Sequence, residues 1–322
     1  MEINKNSPES GTCYNKNYDN FFIGINYQIK DTFFFAFILQ FILVSLMYYF
    51  VGNGKYWKVL HYTSIAGLVA AVLEHSTLAY ICQKSQINNN GKVYSFFISE
   101  LFWIINEYAV PVLNVIKIET LSTGRIAKTV KYIVIILLLP FSIARLYNGY
   151  DRMMNGYLNI PNSNICHGIA FGILGISDTI CSLFIILYSR YRYDHSLLRN
   201  SKITHLMKNS GYTILLIVDF VSIVLSVLYI ISTIYPNNTN ISSSTTLFHC
   251  IKSVFILILS TDALLFKYGA AGSSSSVEVI TSTVKTQSYK YDYLKSINDT
   301  SITNYGSFNN INNNSNSDNN IK

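Results

Sequence analysis

Three polar residues recur at a fixed interval within one long apolar stretch, residues 93–116. Glu100, Glu107 and Asn114 are each seven residues apart, so on a helix they share one face. Hydrocarbon does not solvate such groups, and this face must therefore turn towards other helices or water. Pro111 has no N–H to donate to the carbonyl of Glu107, which predicts a kink beside that acid. The pattern predicts a central helix with an acidic inner face.

Other apolar stretches also contain ionisable residues, whose depth follows from a rise of about 1.5 Å per helical residue. Six of them fall towards the outer side and include both signs of charge, which predicts acid–base pairs among them. A charge at the bilayer centre costs about 2.5–3.5 kcal/mol even on a lenient scale. The six form a candidate outer ligand pocket, with a purely structural ion-pair network as the alternative: Glu74, His75, Glu100, Arg145, His249 and Lys252.

Deeper carboxyls form a second group. One lies near the midplane and three lie in the inner half, where we expect no basic partner from the membrane spans. Such carboxyls must be neutral, hydrated, bound to a cation, or reached by Lys and Arg side chains from the loops. They are a candidate proton or cation relay, with hydrogen bonding to Ser, Asn and backbone as the alternative: Glu107, Asp178, Asp219 and Asp262.

The elements that must position these residues are membrane spans. Hydrophobic residues make up 50% of the chain and charged residues only 13%, against about 25% charged in ordinary soluble proteins. The apolar residues form blocks of about twenty, as transmembrane helices do. We predict an all-α, polytopic bundle of seven transmembrane helices over residues 32–51, 59–82, 93–116, 132–150, 167–188, 212–235 and 247–266.

Three regions follow from this pattern. Residues 1–30 form an extracellular N-terminal segment, and residues 31–267 form the membrane domain. Residues 268–322 are rich in Ser, Thr and Asn, so they bury too little apolar surface to fold and are predicted to be a disordered cytoplasmic tail.

The distribution of basic residues predicts the orientation. Most loop Lys and Arg residues follow spans one, three and five, whereas only Lys84, Lys92 and Arg152 follow spans two, four and six. Basic loops stay in the cytoplasm, which places the N-terminus outside and the C-terminus inside. The loop after span six agrees, because Asn237 and Asn240 begin glycosylation acceptor triplets, used only on the outer side. Such triplets also arise easily in sequence rich in Asn and Ser.

Four of the five cysteines map to the outer side in this topology: Cys13, Cys82, Cys166 and Cys250. They allow two disulfides with three possible connectivities. A bridge between Cys82 and Cys166 would tie the second outer loop to the base of the first. Buried thiols are the alternative.

Several classes of chemistry have no sequence signature here. HExxH, paired CxxC and phosphate-binding glycine loops are absent, and the six histidines are not spaced as helical metal ligands. A clustered basic surface on a soluble module, which nucleic-acid binding needs, is also absent. We therefore predict no catalytic residues, no metal, no cofactor and no nucleic-acid partner, and a protein that is not an enzyme.

The layout resembles G-protein-coupled receptors over roughly residues 30–267, in helix count, orientation, outer cysteines and a basic third inner loop. At the family's motif positions the third span ends NVIKIE and the seventh reads STDALLFKY, so the chain is not assigned to that family.

Two functional hypotheses follow. The first is a receptor-like, multi-pass plasma-membrane protein that senses a small ligand or ion in the outer pocket. It would present basic residues 190–208 to a cytoplasmic signalling protein. The second is a proton- or cation-coupled transporter or channel that uses the relay carboxylates. The lipid bilayer is a partner in both.

Overall fold

The structure, a computed structural model, describes residues 4–268 except residues 31, 53, 87, 90, 123, 160–162, 196–201, 236–238 and 266. The predicted tail lies outside the described residues, apart from residue 268. Within the described part the α-helices are α1 Phe21–Ile29, α2 Thr32–Val51, α3 Lys55–Ile81, α4 Tyr94–Leu121, α5 Arg125–Asn155, α6 Ser163–His195, α7 Lys202–Ile234 and α8 Thr239–Ser253. After a turn at Val254, helical conformation resumes over residues 255–265.

Seven of these helices, α2 to α8, are long and apolar enough to cross a membrane, when α8 is counted with its continuation to Leu265. The described residues contain no β-strand, and their only β-type contact is an isolated parallel bridge between Tyr18 and Gln83. The prediction of an all-α bundle with seven helices able to span a membrane is therefore confirmed.

The distribution of polar side chains is the reverse of that in a water-soluble bundle. On α5, Ile136 and Leu139 are 68% and 66% exposed, whereas Glu100, Asn114 and Asp178 are fully buried. Exposed apolar side chains around a polar interior are unfavourable in water and suit hydrocarbon. The fold is compatible with a multi-pass membrane protein in a lipid bilayer.

Three glycines allow α6 to pack closely on α7. A Cβ atom on Gly168, Gly172 or Gly175 would lie 2.9, 3.0 or 3.1 Å from a side chain of α7. Small residues at such positions let two membrane helices approach each other. This glycine face leads along α6 towards Asp178.

The N-terminal residues 4–20, called the cap below, fold over one end of the bundle. The Lys5 ammonium donates hydrogen bonds of 2.6 Å to the carbonyls of Gln86 and Asn89. Burial lowers the pKa of Lys5 from its ordinary value. A disulfide joins Cys13 of the cap to Cys82 at the end of α3. This end of the bundle is called the capped end, and the other is the opposite end.

The observed disulfide corrects one detail of the cysteine analysis. Cys82 pairs with Cys13, so the suggested bridge between Cys82 and Cys166 is wrong. The cap brings the Cα atoms of Cys13 and Cys82 to 5.1 Å, within the range that a disulfide requires. Cys166 is a buried thiol in α6, and Cys250 lies in α8 outside any disulfide of the described residues.

Candidate functional site

Six charged side chains from four helices meet inside the bundle, and we call them the ion-pair network. They are Glu74 of α3, Glu100 and Glu107 of α4, Arg145 and Arg152 of α5, and Lys252 of α8. Three are acids and three are bases, so the ionised network has no net charge. Neutrality matters here, because an unpaired charge in a low-dielectric interior costs several kcal/mol.

Arg145 is the centre of the network. Its Nη2 lies 2.9 Å from Oε2 of Glu100, and its Nε lies 3.6 Å from Oε2 of Glu107. Its Nη1 lies 2.8 Å from Nδ1 of His167. A guanidinium only donates, so this imidazole nitrogen accepts and the His167 ring is neutral. The pairing expected between outer acids and Arg145 is present.

Arg152 extends the network to the capped end. Its Nη1 lies 3.1 Å from Oε1 of Glu100 and 3.6 Å from Oε2 of Glu74. Its Nε donates to the carbonyl of Leu158, at 3.0 Å. The Leu158 N–H in turn donates to Oγ1 of Thr12 in the cap, at 2.8 Å. A continuous series of polar contacts therefore runs from the cap into the bundle.

The sequence analysis missed Arg152, because it placed this residue in an outer loop. The helix α5 continues to Asn155, past the end of the apolar run, and Arg152 is 8% exposed. Arg145, Asn148 and Arg152 are three and four residues apart, which puts them on one helical face. That spacing was the available signal. The neutral side chain of Asn148 supports the network, since its amide donates a hydrogen bond to Glu100 at 3.1 Å.

Glu107 has two basic partners, and the expectation that it has none is wrong. Besides Arg145, the Lys252 ammonium lies 3.4 Å from Oε1 of Glu107. The same ammonium lies 3.5 Å from the ring centroid of Phe171, a favourable cation–π contact. The sequence could not show these contacts, because they depend on how α5 and α8 rotate towards α4.

A cavity of about 30 Å³ lies beside Glu107 and Lys252, and Asn106 and His249 also line it. This volume is sufficient for a water molecule but not for a larger organic ligand. A larger ligand could enter this cavity only if side chains that line it moved.

The two histidines of the predicted outer pocket make hydrogen-bond and ring contacts beside the network. His249 Nδ1 lies 2.8 Å from the Tyr229 hydroxyl. His75 Nδ1 lies 2.9 Å from Oε1 of Gln28, and its ring stacks on Phe34. The structure thus brings together four of the six predicted pocket residues as ion-pair partners, namely Glu74, Glu100, Arg145 and Lys252.

The four predicted relay carboxyls do not form one series. Glu107 belongs to the ion-pair network, and Asp262 lies 3.5 Å from the Lys117 ammonium. Asp178 and Asp219 lie on the adjacent helices α6 and α7, and their hydrogen-bond partners are neutral side chains.

Two further predictions concern the loops. Asn240 is exposed at the start of α8, whereas Asn237 lies outside the described residues. The side chains of the basic residues 190–208 also lie outside the described part of the chain.

A depression of about 420 Å³ at the opposite end is lined by the end of α4, the start of α5 and residues of α6.

Comparison of the chain with protein-family models, with curated proteins and with solved structures finds no match. The class of the protein therefore rests on its own fold and site. Its described residues form seven helices able to span a membrane, arranged around a buried and electrically balanced set of charges.

Because Gly149 has no side chain, the Glu100 side chain can pack against the backbone of α5 at this position. A Cβ at Gly149 would lie 2.6 Å from Cγ of Glu100. We expect Gly149→Val to destabilise the protein by about 2–3 kcal/mol, because Glu100 is held by two arginines and overpacking is not relieved cheaply. Thermal unfolding in lipid nanodiscs measures the effect. Gly54→Val is the control, because nothing lies within 4 Å of a Cβ there. Equal midpoints for the two variants would contradict the packing argument.

Proposed function

We propose that this chain is a receptor-like membrane protein in which the ion-pair network couples the capped end to the helices inside the bundle. The observation that carries the proposal is the continuous series of polar contacts from Thr12 through Leu158 and Arg152 to the network. A ligand that moves the cap or replaces one ionic partner would change the charge balance of four helices at once.

The coupling has a plain energetic basis. A buried ion pair adds little stability relative to apolar packing, but loss of one partner costs about 3–5 kcal/mol. A network of this kind therefore favours one helix arrangement while all its partners are in place. A small charged ligand at the capped end would shift the equilibrium by its different affinity for the two arrangements.

The proposed orientation places the capped end outside the cell, in the plasma membrane. The disulfide between Cys13 and Cys82 supports it, because disulfides persist in oxidising compartments. The exposed Asn240, which begins a glycosylation triplet, follows α7 at this same end. The excess of Lys and Arg in the alternate loops supports a cytoplasmic opposite end. The C-terminal tail and the basic residues 190–208 would then face a cytoplasmic signalling protein.

Cation- or proton-coupled transport is the second candidate function. The buried Asp178 and Asp219 favour it, because neither has an ion-pair partner among the described residues. The pairing of Glu107 with Lys252 and of Asp262 with Lys117 favours the receptor proposal, since both carboxylates are already balanced by a base.

A distance measurement tests the receptor proposal. Spin labels at Thr120→Cys and Tyr188→Cys report the separation of α4 and α6 around the depression at the opposite end, after the other thiols are changed to alanine. We expect Lys252→Met, which leaves Glu107 with one partner fewer, to shift this separation by about 2 Å or more. Lys84→Met is the control, because Lys84 pairs with Asp19 on the surface.

Flux measurements distinguish the two candidates. Purified wild-type protein in vesicles is expected to move neither protons nor sodium ions faster than protein-free vesicles do. Flux in the wild type, or identical label separations in Lys252→Met and Lys84→Met, would contradict the receptor proposal.

A further inference from the structure

Two buried carboxyls lie outside the ion-pair network and are not balanced by it. Asp178 is fully buried and Asp219 is 6% exposed. The amide of Asn114 donates to Oδ1 of Asp178 at 3.4 Å, and the hydroxyl of Ser182 donates to Oδ1 of Asp219 at 3.2 Å. These partners are neutral. Two further negative charges inside the bundle therefore require protons or a bound cation.

Lys252 does not remove this requirement, because its ammonium pairs with the Glu107 carboxylate at 3.4 Å. The ion-pair network is already neutral with Lys252 counted, so the charges of Asp178 and Asp219 remain in excess.

Helix packing brings the surrounding oxygens together. Asp178 and Ser182 are one turn apart on α6, and Asp219 and Ser222 are nearly one turn apart on α7. The hydrogen bond between Ser182 and Asp219 fixes how these antiparallel helices align, which places Ser222 at the level of Asp178. Asn114 comes from α4. The close approach of α6 and α7 at Gly175 leaves little space between them.

A second and independent observation indicates that this cluster holds a ligand. Oδ2 of Asp178, Oδ1 of Asn114 and Oγ of Ser222 are inaccessible to solvent and have no hydrogen-bond partner among the described residues. All three residues are fully buried. A buried polar atom without a partner costs about 1–3 kcal/mol, and such atoms are few in native structures. These three atoms, one of them a carboxyl oxygen of Asp178, form with Asp219 an incomplete set of oxygen ligands.

The chemistry of the cluster favours a small monovalent cation. Carboxylate, amide and hydroxyl oxygens are ligands for hard cations. No group of three His, Cys, Asp or Glu side chains in the described part of the chain is placed to hold a metal ion, which argues against a divalent site. The tight packing of α6 on α7 favours the smaller alkali ion over the larger one.

We propose that Asp178 and Asp219, with oxygens of Asn114, Ser182 and Ser222, bind one sodium ion between α4, α6 and α7, and that the two carboxyls keep one proton between them, so that both excess charges are balanced. The site is separate from the ion-pair network, so the sodium proposal can be tested independently of the receptor proposal. Sodium bound there would hold α6 and α7 together in the half of the bundle away from the cap.

Thermal unfolding of the full chain in nanodiscs tests the site. Midpoints are compared in sodium chloride, potassium chloride and N-methyl-D-glucamine chloride, at equal ionic strength and pH 8. We expect sodium at about 100 times its Kd to raise the wild-type midpoint by about 5 °C or more over N-methyl-D-glucamine, and potassium to raise it less. Asp178→Asn and Asp219→Asn should abolish the sodium response. Asp262→Asn is the control and should keep it, because Asp262 pairs with Lys117.

A substitution that leaves both carboxyls in place gives a second test that does not depend on whether the aspartate variants fold. The Ser222 hydroxyl has no hydrogen-bond partner within the described part of the chain, so Ser222→Ala should fold as the wild type does and show a smaller sodium response. An equal wild-type midpoint in all three salts would show that no sodium binds, and a full sodium response in both aspartate variants would show that sodium acts at another site. Either result would overturn the proposal. Neither result would change the label separations that test the receptor proposal.

Discussion

Arg145→Met is expected to destabilise the protein by about 3–5 kcal/mol, because it removes one partner from a buried ionic network. Glu100 and Glu107 would both lose their contact with the guanidinium, and the network would carry one excess negative charge. Methionine retains much of the apolar volume, so the loss reports charge rather than a cavity. In thermal unfolding in nanodiscs this corresponds to a midpoint lower by roughly 6–20 °C.

Two comparisons isolate the cause. Arg125→Met makes the same change at an exposed position of the same helix, where we expect an effect within about 0.5 kcal/mol. Glu100→Gln added to Arg145→Met restores neutrality and leaves two intact pairs, between Arg152 and Glu74 and between Lys252 and Glu107. The double variant should therefore be less destabilised than the two single losses added together. Simple additivity would mean that Glu100 and Arg145 do not interact.

The heptad spacing in α4 was sufficient to predict which face of that helix is buried. Glu100, Glu107 and Asn114 are all buried in the bundle, because an apolar environment penalises exposed polar groups whatever the neighbouring helices are. Identifying the partners needed the structure, since it depends on the rotation and length of other helices. Arg152 shows this clearly: its position on a helix or in a loop depended on where α5 ends.

The cap could not be predicted from local sequence. It lacks apolar periodicity, and it is held by contacts between distant residues, such as those from Lys5 to Gln86 and from Leu158 to Thr12. The cysteine count allowed three connectivities, and only the folded position of residues 4–20 selects Cys13 as the partner of Cys82. The balanced charge of the network likewise emerges only when four helices are assembled.

Removing the disulfide between Cys13 and Cys82 is expected to have the second large effect. The bond links residues separated by 69 positions, and loop-closure entropy gives about 4 kcal/mol for a loop of this size. This value is a ceiling, because the bilayer already restricts the unfolded chain. We expect the double variant Cys13→Ala, Cys82→Ala to release the cap and to weaken the hydrogen bond from Arg152 to the Leu158 carbonyl.

Hydrogen exchange locates that effect within the chain. The double alanine variant should exchange faster over residues 4–20 and at the Leu158 amide, which donates to Thr12 of the cap. Cys166→Ala is the matched control, because Cys166 is a buried cysteine outside any disulfide, and its cap amides should exchange as in the wild type. If the double variant keeps wild-type exchange in the cap, then hydrogen bonds rather than the disulfide hold the cap in place. The contacts from Thr12 through Leu158 to Arg152 would in that case persist without the disulfide.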